Sequence, residues 1–159
     1  MCPSNQLAAF DRFELMTEAV RAPSCGFGHF LIVDDISSMR RVISSLLKDQ
    51  LRHLKISEAA CGKTALQTLT SSMNAGSPID FVVTDWNMPN MDGITLLRTI
   101  REVPHLKHLP VLMVTAEATK DMILAAAHAG ADGYIVKPFN AHTLKTKLDQ
   151  IFAKRRQAN

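Results

Sequence analysis

Four short apolar segments in this chain are each followed within two residues by a polar side chain. The segments are rich in Val and Ile and do not alternate with polar residues, which is typical of buried parallel strands. They are Phe30 to Val33, Phe81 to Val83, Val111 to Val114 and Tyr134 to Val136, and the polar residues that follow are Asp34, Asp35, Asp85, Thr115 and Lys137. Because parallel strands end at a common edge, the sequence predicts that three carboxylates, a hydroxyl and an ammonium converge there.

Helical periodicity recurs between these segments. One apolar face is formed by Met39, Val42, Ile43, Leu46 and Leu47, and a second, after a potential cap at Asn140, by Leu144, Leu148, Ile151 and Phe152. Further helices are predicted near Lys63 to Ser72, Ile94 to Glu102 and Lys120 to Ala129, a short strand at Ile56, helix boundaries at Gly62 and Gly130, and a long connection over Ser71 to Pro78. Five successive β/α units predict an α/β fold with a parallel sheet covered on both faces.

The predicted cluster indicates phosphoryl transfer. Two like charges about 4 Å apart repel by roughly 4 kcal/mol at an effective dielectric near 20, so three carboxylates need a cationic partner. Oxygen ligands without Cys or His favour a hard ion such as Mg²⁺. With that ion bound, one carboxylate can act as a nucleophile toward phosphorus and form an aspartyl phosphate, while Thr115 and Lys137 hold the other phosphoryl oxygens.

Simpler interpretations exist for each residue taken alone. Asp34 and Asp35 would suit a helix N-terminus, with Ser37 or Ser38 as the cap, and Asp85 would suit a turn. Thr115, Lys137 and Tyr134 carry little information individually. Their joint placement at successive strand ends is what favours a functional site.

Three stretches resemble the response-regulator receiver domains, in particular those of the chemotaxis type. They are residues 83–93, with the sequence VTDWNMPNMDG, residues 111–118, with VLMVTAEA, and residues 129–139, with AGADGYIVKPF. The resemblance covers about Phe30 to Lys154, with the motifs in the family's order. It implies a doubly wound, flavodoxin-like sheet of five parallel strands in the order 2-1-3-4-5, with helices on both faces.

The resemblance also implies a role for each matching residue. Asp85 would be the phospho-acceptor, and Mg²⁺ would be held by Asp34, Asp35, Asp85 and the backbone carbonyl of Asn87. Thr115 would contact the phosphoryl group and Lys137 would pair with it. Thr115 and Tyr134 would form the switch, Asn87 and Glu117 would tune autodephosphorylation, and Ala118, Tyr134 and Lys147 would belong to the output surface. The Lys137-Pro138 bond is expected to be cis.

We therefore expect a stand-alone response regulator that receives its phosphoryl group from a histidine kinase and is not an enzyme acting on other substrates. The expected partner is the flagellar motor switch, and a phosphatase is a further potential partner. The alternatives are a phosphate sink or a regulator of a pilus or another chemosensory pathway. An aspartyl-phosphate hydrolase is less favoured because it needs an acid where Asn87 stands, and a nucleotide-binding enzyme would need glycines after the first strand. A DNA-binding effector domain is not expected in the six residues after Ala153.

Composition and patterning divide the chain into three parts. Residues 1–28 form an N-terminal extension with a linker, and its apolar stripe predicts a helix through Leu7, Phe10, Phe13, Met16 and Val20. Residues 29–154 form the receiver domain and 155–159 a short basic tail. The net charge of +3 gives no support for nucleic-acid binding, and no segment has the length of a membrane span. Three cysteines without metal-ligand spacing favour reduced thiols in a cytoplasmic protein. A monomer is expected, with a dimer through residues 1–28 as the alternative.

Overall fold

The computed structural model of this chain describes residues 27–157. Within these residues, five strands alternate with five helices. They are β1 (His29–Val33), α1 (Ser37–Gln50), β2 (Lys55–Ala59), α2 (Gly62–Asn74), β3 (Phe81–Asp85), α3 (Gly93–Glu102), β4 (Val111–Thr115), α4 (Lys120–Ala129), β5 (Gly133–Val136) and α5 (Ala141–Gln157). The helical stripe predicted at residues 7–20 lies outside the described residues.

The strands form one sheet in the order β2-β1-β3-β4-β5, and every neighbouring pair is parallel. The predicted fold class and strand order are therefore confirmed. The three central strands are buried along their whole length, whereas the edge strand β2 is partly exposed. This difference explains why β1, β3 and β4 read as continuous apolar segments and why β2 left only a weak signal around Ile56.

A separate hydrophobic core covers each face of the sheet. On one face, α2, α3 and α4 pack through residues that include Leu69, Leu97 and Ala126. On the other, α1 and α5 pack through Ile43, Leu47 and the predicted stripe Leu144, Leu148, Ile151 and Phe152. Val42 was predicted to belong to the α1 stripe, but it is 51% exposed. Its position at the border of the stripe turns it to solvent.

Helix ends follow local chemistry. The Asn140 Oδ1 accepts the Thr143 N–H at 2.9 Å, as predicted, and Gly130 ends α4 with a left-handed backbone at φ 95°. Neither Ser37 nor Ser38 caps α1, so that interpretation is wrong. Helix α1 has no side-chain cap on its N-cap residue, and instead the Asp34 Oδ1 accepts the Ile36 N–H at 2.9 Å.

The connection from α2 to β3 is shorter than expected because α2 continues to Asn74. Its remaining residues lie at the amino edge of the sheet. There the Ser77 carbonyl accepts a hydrogen bond from the His29 ring, and the Ser77 hydroxyl accepts one from the Lys55 ammonium. At the C-terminus, α5 continues to Gln157 and includes three residues of the segment 155–159. The division into extension, receiver and tail stays a prediction. Within residues 27–157, no helix combines the length and apolar character needed to cross a bilayer.

Candidate functional site

The carboxyl edge of the sheet gathers the three predicted acids. Strands β1 and β3 are neighbours, so Asp34 and Asp35, which follow β1, lie beside Asp85 at the end of β3. One carboxylate oxygen from each of the three residues lies within 4.8 Å of the other two. Asp34 is fully buried, Asp85 is almost so, and Asp35 is exposed. The site is therefore a carboxylate cluster with one side open to solvent.

Lys137 supplies the positive charge that faces this cluster. Its Nζ lies 3.0 Å from the Asp34 Oδ2 and 3.3 Å from the Asp85 Oδ2. The Lys137 N–H donates to the Thr115 carbonyl at 2.7 Å, which fixes the lysine backbone beside the end of β4. The Lys137-Pro138 bond is cis, as expected. One ammonium facing three carboxylates leaves the cluster with an excess of negative charge.

The pKa of Asp85 is raised above its ordinary value. Burial is the main cause because it penalises the charged form, and the nearby Asp34 charge acts in the same direction. The Lys137 charge and a hydrogen bond from the Trp86 N–H to the Asp85 Oδ1, at 2.8 Å, oppose this shift. A bound cation would oppose the raised pKa, since it adds positive charge where the carboxylates converge.

Thr115 and Tyr134 do not form a hydrogen bond to the carboxylates. The Thr115 hydroxyl donates to the Glu117 carbonyl at 2.7 Å and accepts the Glu117 N–H at 3.2 Å. Both residues line one small apolar cavity between β4, β5 and α4, together with Trp86 and Ala118. Thr115 therefore connects the carboxyl edge to the surroundings of Tyr134.

The remaining predicted residues lie near the rim of the site. Asn87 is exposed in the β3–α3 loop, two residues after Asp85, and the Glu117 side chain is also exposed. The Lys147 Nζ lies 5.2 Å from the centre of the Tyr134 ring. Tyr134, Lys147 and Ala118 are thus all partly exposed on the side of the molecule formed by β5, α5 and the start of α4.

Two residues that position the acids were not identified from the sequence. The Arg40 guanidinium donates to the Asp34 carbonyl at 2.6 Å and pairs with Glu58 at 2.8 Å. At Gly93, an added Cβ would lie 2.0 Å from the Asp85 carbonyl oxygen. No spacing rule relates Arg40 to Asp34, but Gly93 follows the α3 cap Asp92 and could have been read as a close backbone approach.

The sequence matches the family described as the response regulator receiver domain over residues 30–149. The chain belongs to the response regulator receiver family. It is 57% identical over 122 residues to the chemotaxis protein CheY of Pseudomonas aeruginosa, covering 77% of this chain and 94% of that protein. Identity to CheY-3 of Vibrio cholerae is also 57% over 122 residues, covering 77% and 89%.

A receiver fold is also found in the solved structures. The high-resolution structure of the Vibrio cholerae chemotaxis protein CheY4 at low pH superposes with a TM-score of 0.68 at 31% identity, covering 79% of this chain and 98% of that one. These similarities support a response regulator receiver of two-component signalling that is closely related to CheY.

Proposed function

We propose that this receiver is a phosphorylation switch in which Asp85 accepts a phosphoryl group from a histidine kinase in the presence of Mg²⁺. The observation that carries the proposal is the convergence of the Asp34, Asp35 and Asp85 oxygens within 4.8 Å, with Lys137 against two of them. An oxygen-only cluster with excess negative charge has the donor set that suits Mg²⁺. Relatives named as chemotaxis proteins add support.

The proposed roles follow from the chemistry of each group. The three carboxylates and the Asn87 carbonyl would hold the ion, which would supply charge neutralisation at the reacting oxygens. An Asp85 carboxylate oxygen forms the new bond to phosphorus while the bond from phosphorus to the phosphohistidine nitrogen of the kinase breaks. Lys137 would then neutralise the phosphoryl oxygens, and its contact with Asp85 supports this role. Asn87 and Glu117 at the rim control the access of water to the acyl phosphate.

The proposed switch runs from Thr115 to Tyr134. Phosphorylation adds about −1.5 to −2 charges, which attracts the Thr115 hydroxyl away from the Glu117 carbonyl. That movement changes the small cavity that Thr115 shares with Tyr134, so the ring can turn inward. A shift from about 1:99 to 99:1 in the population would need roughly 5.5 kcal/mol of differential stabilisation. The surface around Tyr134, Ala118 and Lys147 would then differ between the two states.

The proposed target of this surface is the flagellar motor switch. This assignment rests on the similarity to proteins named for chemotaxis, and the alternatives are a phosphate sink or a regulator of a pilus or another chemosensory pathway. A cytoplasmic location, a monomeric state and a separate phosphatase stay predictions.

Phosphorylation is tested with a small-molecule phosphodonor and Mg²⁺, followed by intact mass spectrometry. We expect one phosphoryl adduct on the wild type and none on Asp85→Asn or in the presence of a chelator. Tyr134→Ala should still form the adduct, because the tyrosine lies outside the carboxylate cluster. Equal loss of the adduct in Tyr134→Ala and Asp85→Asn would contradict the separation of switch and acceptor.

The target is tested by binding to an N-terminal peptide of a flagellar switch protein, with beryllofluoride and Mg²⁺ as the stable phosphoryl mimic. Binding that tightens only when Asp85 is loaded, and weakens in Tyr134→Ala, supports the motor assignment. A change in Trp86 fluorescence on loading, without peptide binding, would move the output to a sink or another pathway.

A further inference from the structure

A groove between α4 and α5 has no partner among the described residues. It has a volume of about 540 Å³, and its wall includes Ile123, Ala126, Ala131, Tyr134, Ile151 and Lys154. The alanines of α4 explain the groove, since their short side chains leave a space between the two helices. Apolar groups form the floor of the groove and lysines stand along α5, so a suitable occupant would be apolar with an acidic border.

The groove has a basic side. Lys147 and Lys154 both line it, and no ion pair involves either residue within the range 27–157. By contrast, Lys145 pairs with Asp149, and Arg155 pairs with Asp132. The two groove lysines are therefore available to an incoming carboxylate.

The chain contains a segment with the complementary pattern. Its apolar stripe, described above at residues 7–20, is bordered by Asp11, Glu14 and Glu18. Those three acids are spaced at i, i+3 and i+7, and in a helix this spacing would place them along one border of the stripe. An apolar face with an acidic border matches an apolar groove with a basic side.

The segment is also tethered within reach of the groove. The Phe27 ring stacks on Phe152 of α5, with 4.8 Å between the ring centroids, and Lys154 of the groove wall is two residues further along the same helix. Residues 21–26 can span about 20 Å when extended. A helix over residues 7–20 would be about 21 Å long, against about 15 Å for the ten residues of α4. The length of the linker and the length of such a helix both suit docking in the same molecule.

We propose that residues 1–26 dock into the α4–α5 groove of their own chain, with the apolar stripe on the alanine-rich wall and the acids facing Lys147 and Lys154. The groove includes Tyr134 and Lys147, which belong to the proposed output surface. Resting on the proposed function, this inference makes the N-terminal segment an internal competitor of the partner, displaced when the phosphorylated state changes the shape of the groove around Tyr134.

Amide hydrogen exchange on the full-length chain tests the docking. The variant Phe10→Asp with Phe13→Asp removes the apolar stripe, and Ser4→Asp with Asn5→Asp adds the same charge away from it. We expect peptides from α4 and from the second half of α5 to exchange roughly fivefold faster in the first variant and at the wild-type rate in the control. Equal exchange in all three proteins would overturn the proposal.

A charge swap and the solution mass separate the remaining outcomes. Lys154→Glu should increase exchange in the groove, and adding Glu18→Lys should restore protection. If protection appears only as the protein concentration rises, and sedimentation gives the mass of a dimer, the segment docks on a second copy of the chain. That result would overturn intramolecular docking. The beryllofluoride response of Trp86, recorded on the same samples, reports on the proposed phospho-acceptor chemistry, so its failure is distinguishable from failure of docking.

Discussion

The two edges of the sheet surround their acidic side chains with opposite kinds of charge. At the carboxyl edge, three carboxylates converge on one ammonium, and burial with the neighbouring Asp34 charge raises the pKa of Asp85. At the amino edge, the Asp132 carboxylate lies between two guanidinium groups. Arg155 donates to its Oδ1 at 2.7 Å, and Arg101 donates to its Oδ2 at 3.1 Å.

Further hydrogen bonds satisfy the charged side chains of the amino edge. The Asp132 Oδ2 also accepts the Val111 N–H at 2.9 Å, and the Asp80 carboxylate accepts the N–H groups of Gly28 and His29. Arg101 additionally donates to the carbonyls of residues 107, 109 and 130, which joins α3 to the starts of β4 and β5. This edge stabilises the fold with opposite charges, whereas the carboxyl edge places three carboxylates together against one lysine.

The largest effect is expected for Gly93→Ala. The added Cβ would lie 2.0 Å from the Asp85 carbonyl oxygen, so the β3–α3 loop must move. We expect a loss of about 3 kcal/mol in the free energy of unfolding, measured by urea denaturation. Gly28→Ala is the matched control at the opposite edge, because its nearest atom is 3.9 Å away, and it should change stability by under about 0.5 kcal/mol. Similar losses in both variants would contradict the close approach at Gly93.

Removing Asp132 from the amino edge should lower the free energy of unfolding by nearly as much. Asp132→Ala leaves the largely buried guanidinium groups of Arg101 and Arg155 without their carboxylate, and we expect a loss of about 2–3 kcal/mol in urea denaturation. Asp149→Ala breaks an exposed ion pair with Lys145 and should cost under about 0.5 kcal/mol. Phosphoryl acceptance at Asp85 should be retained by both variants.

At the carboxyl edge, removing a carboxylate charge should raise the free energy of unfolding instead of lowering it. Asp85→Asn removes one of the converging charges while keeping the shape of the side chain, so without Mg²⁺ we expect the free energy of unfolding to rise by about 1 kcal/mol. A loss of stability on this substitution, as at Asp132, would show that the Lys137 contacts outweigh the repulsion and burial of the carboxylates.

A smaller effect is expected in the pH dependence of that difference. The folded pKa of Asp85 lies above the unfolded value of about 3.9, so between the two values the folded state binds more protons than the unfolded state. The ionised Asp85 therefore lowers stability as pH rises through its folded pKa. The stability advantage of Asp85→Asn should be largest near neutral pH and shrink toward pH 4, as measured by urea denaturation in a pH series without Mg²⁺. An advantage that grows on acidification would contradict the raised pKa.

Whether a feature of the fold or the site could be predicted from the sequence depends on the type of interaction that produces it. Continuous apolar segments predicted β1, β3 and β4 because burial on both faces leaves a local pattern, and parallel strand ends placed Asp34, Asp35 and Asp85 together. The role of Arg40 and the pairing of Asp132 with Arg101 and Arg155 could not be predicted, because each joins residues from separate elements through side-chain geometry. The capping of α1 was misread since the Asp34 carboxylate, rather than a serine, accepts the Ile36 N–H.

The measurement that tests the carboxyl edge most directly is the thermal midpoint of unfolding as a function of Mg²⁺ concentration. If the ion binds the three carboxylates of the folded state, the wild type should gain about 2.7 kcal/mol at a concentration 100 times the dissociation constant. Asp85→Asn should begin at a higher midpoint and lose most of the response. A wild-type midpoint independent of Mg²⁺, or an equal rise in Asp85→Asn, would contradict a metal-dependent phospho-acceptor site at this edge.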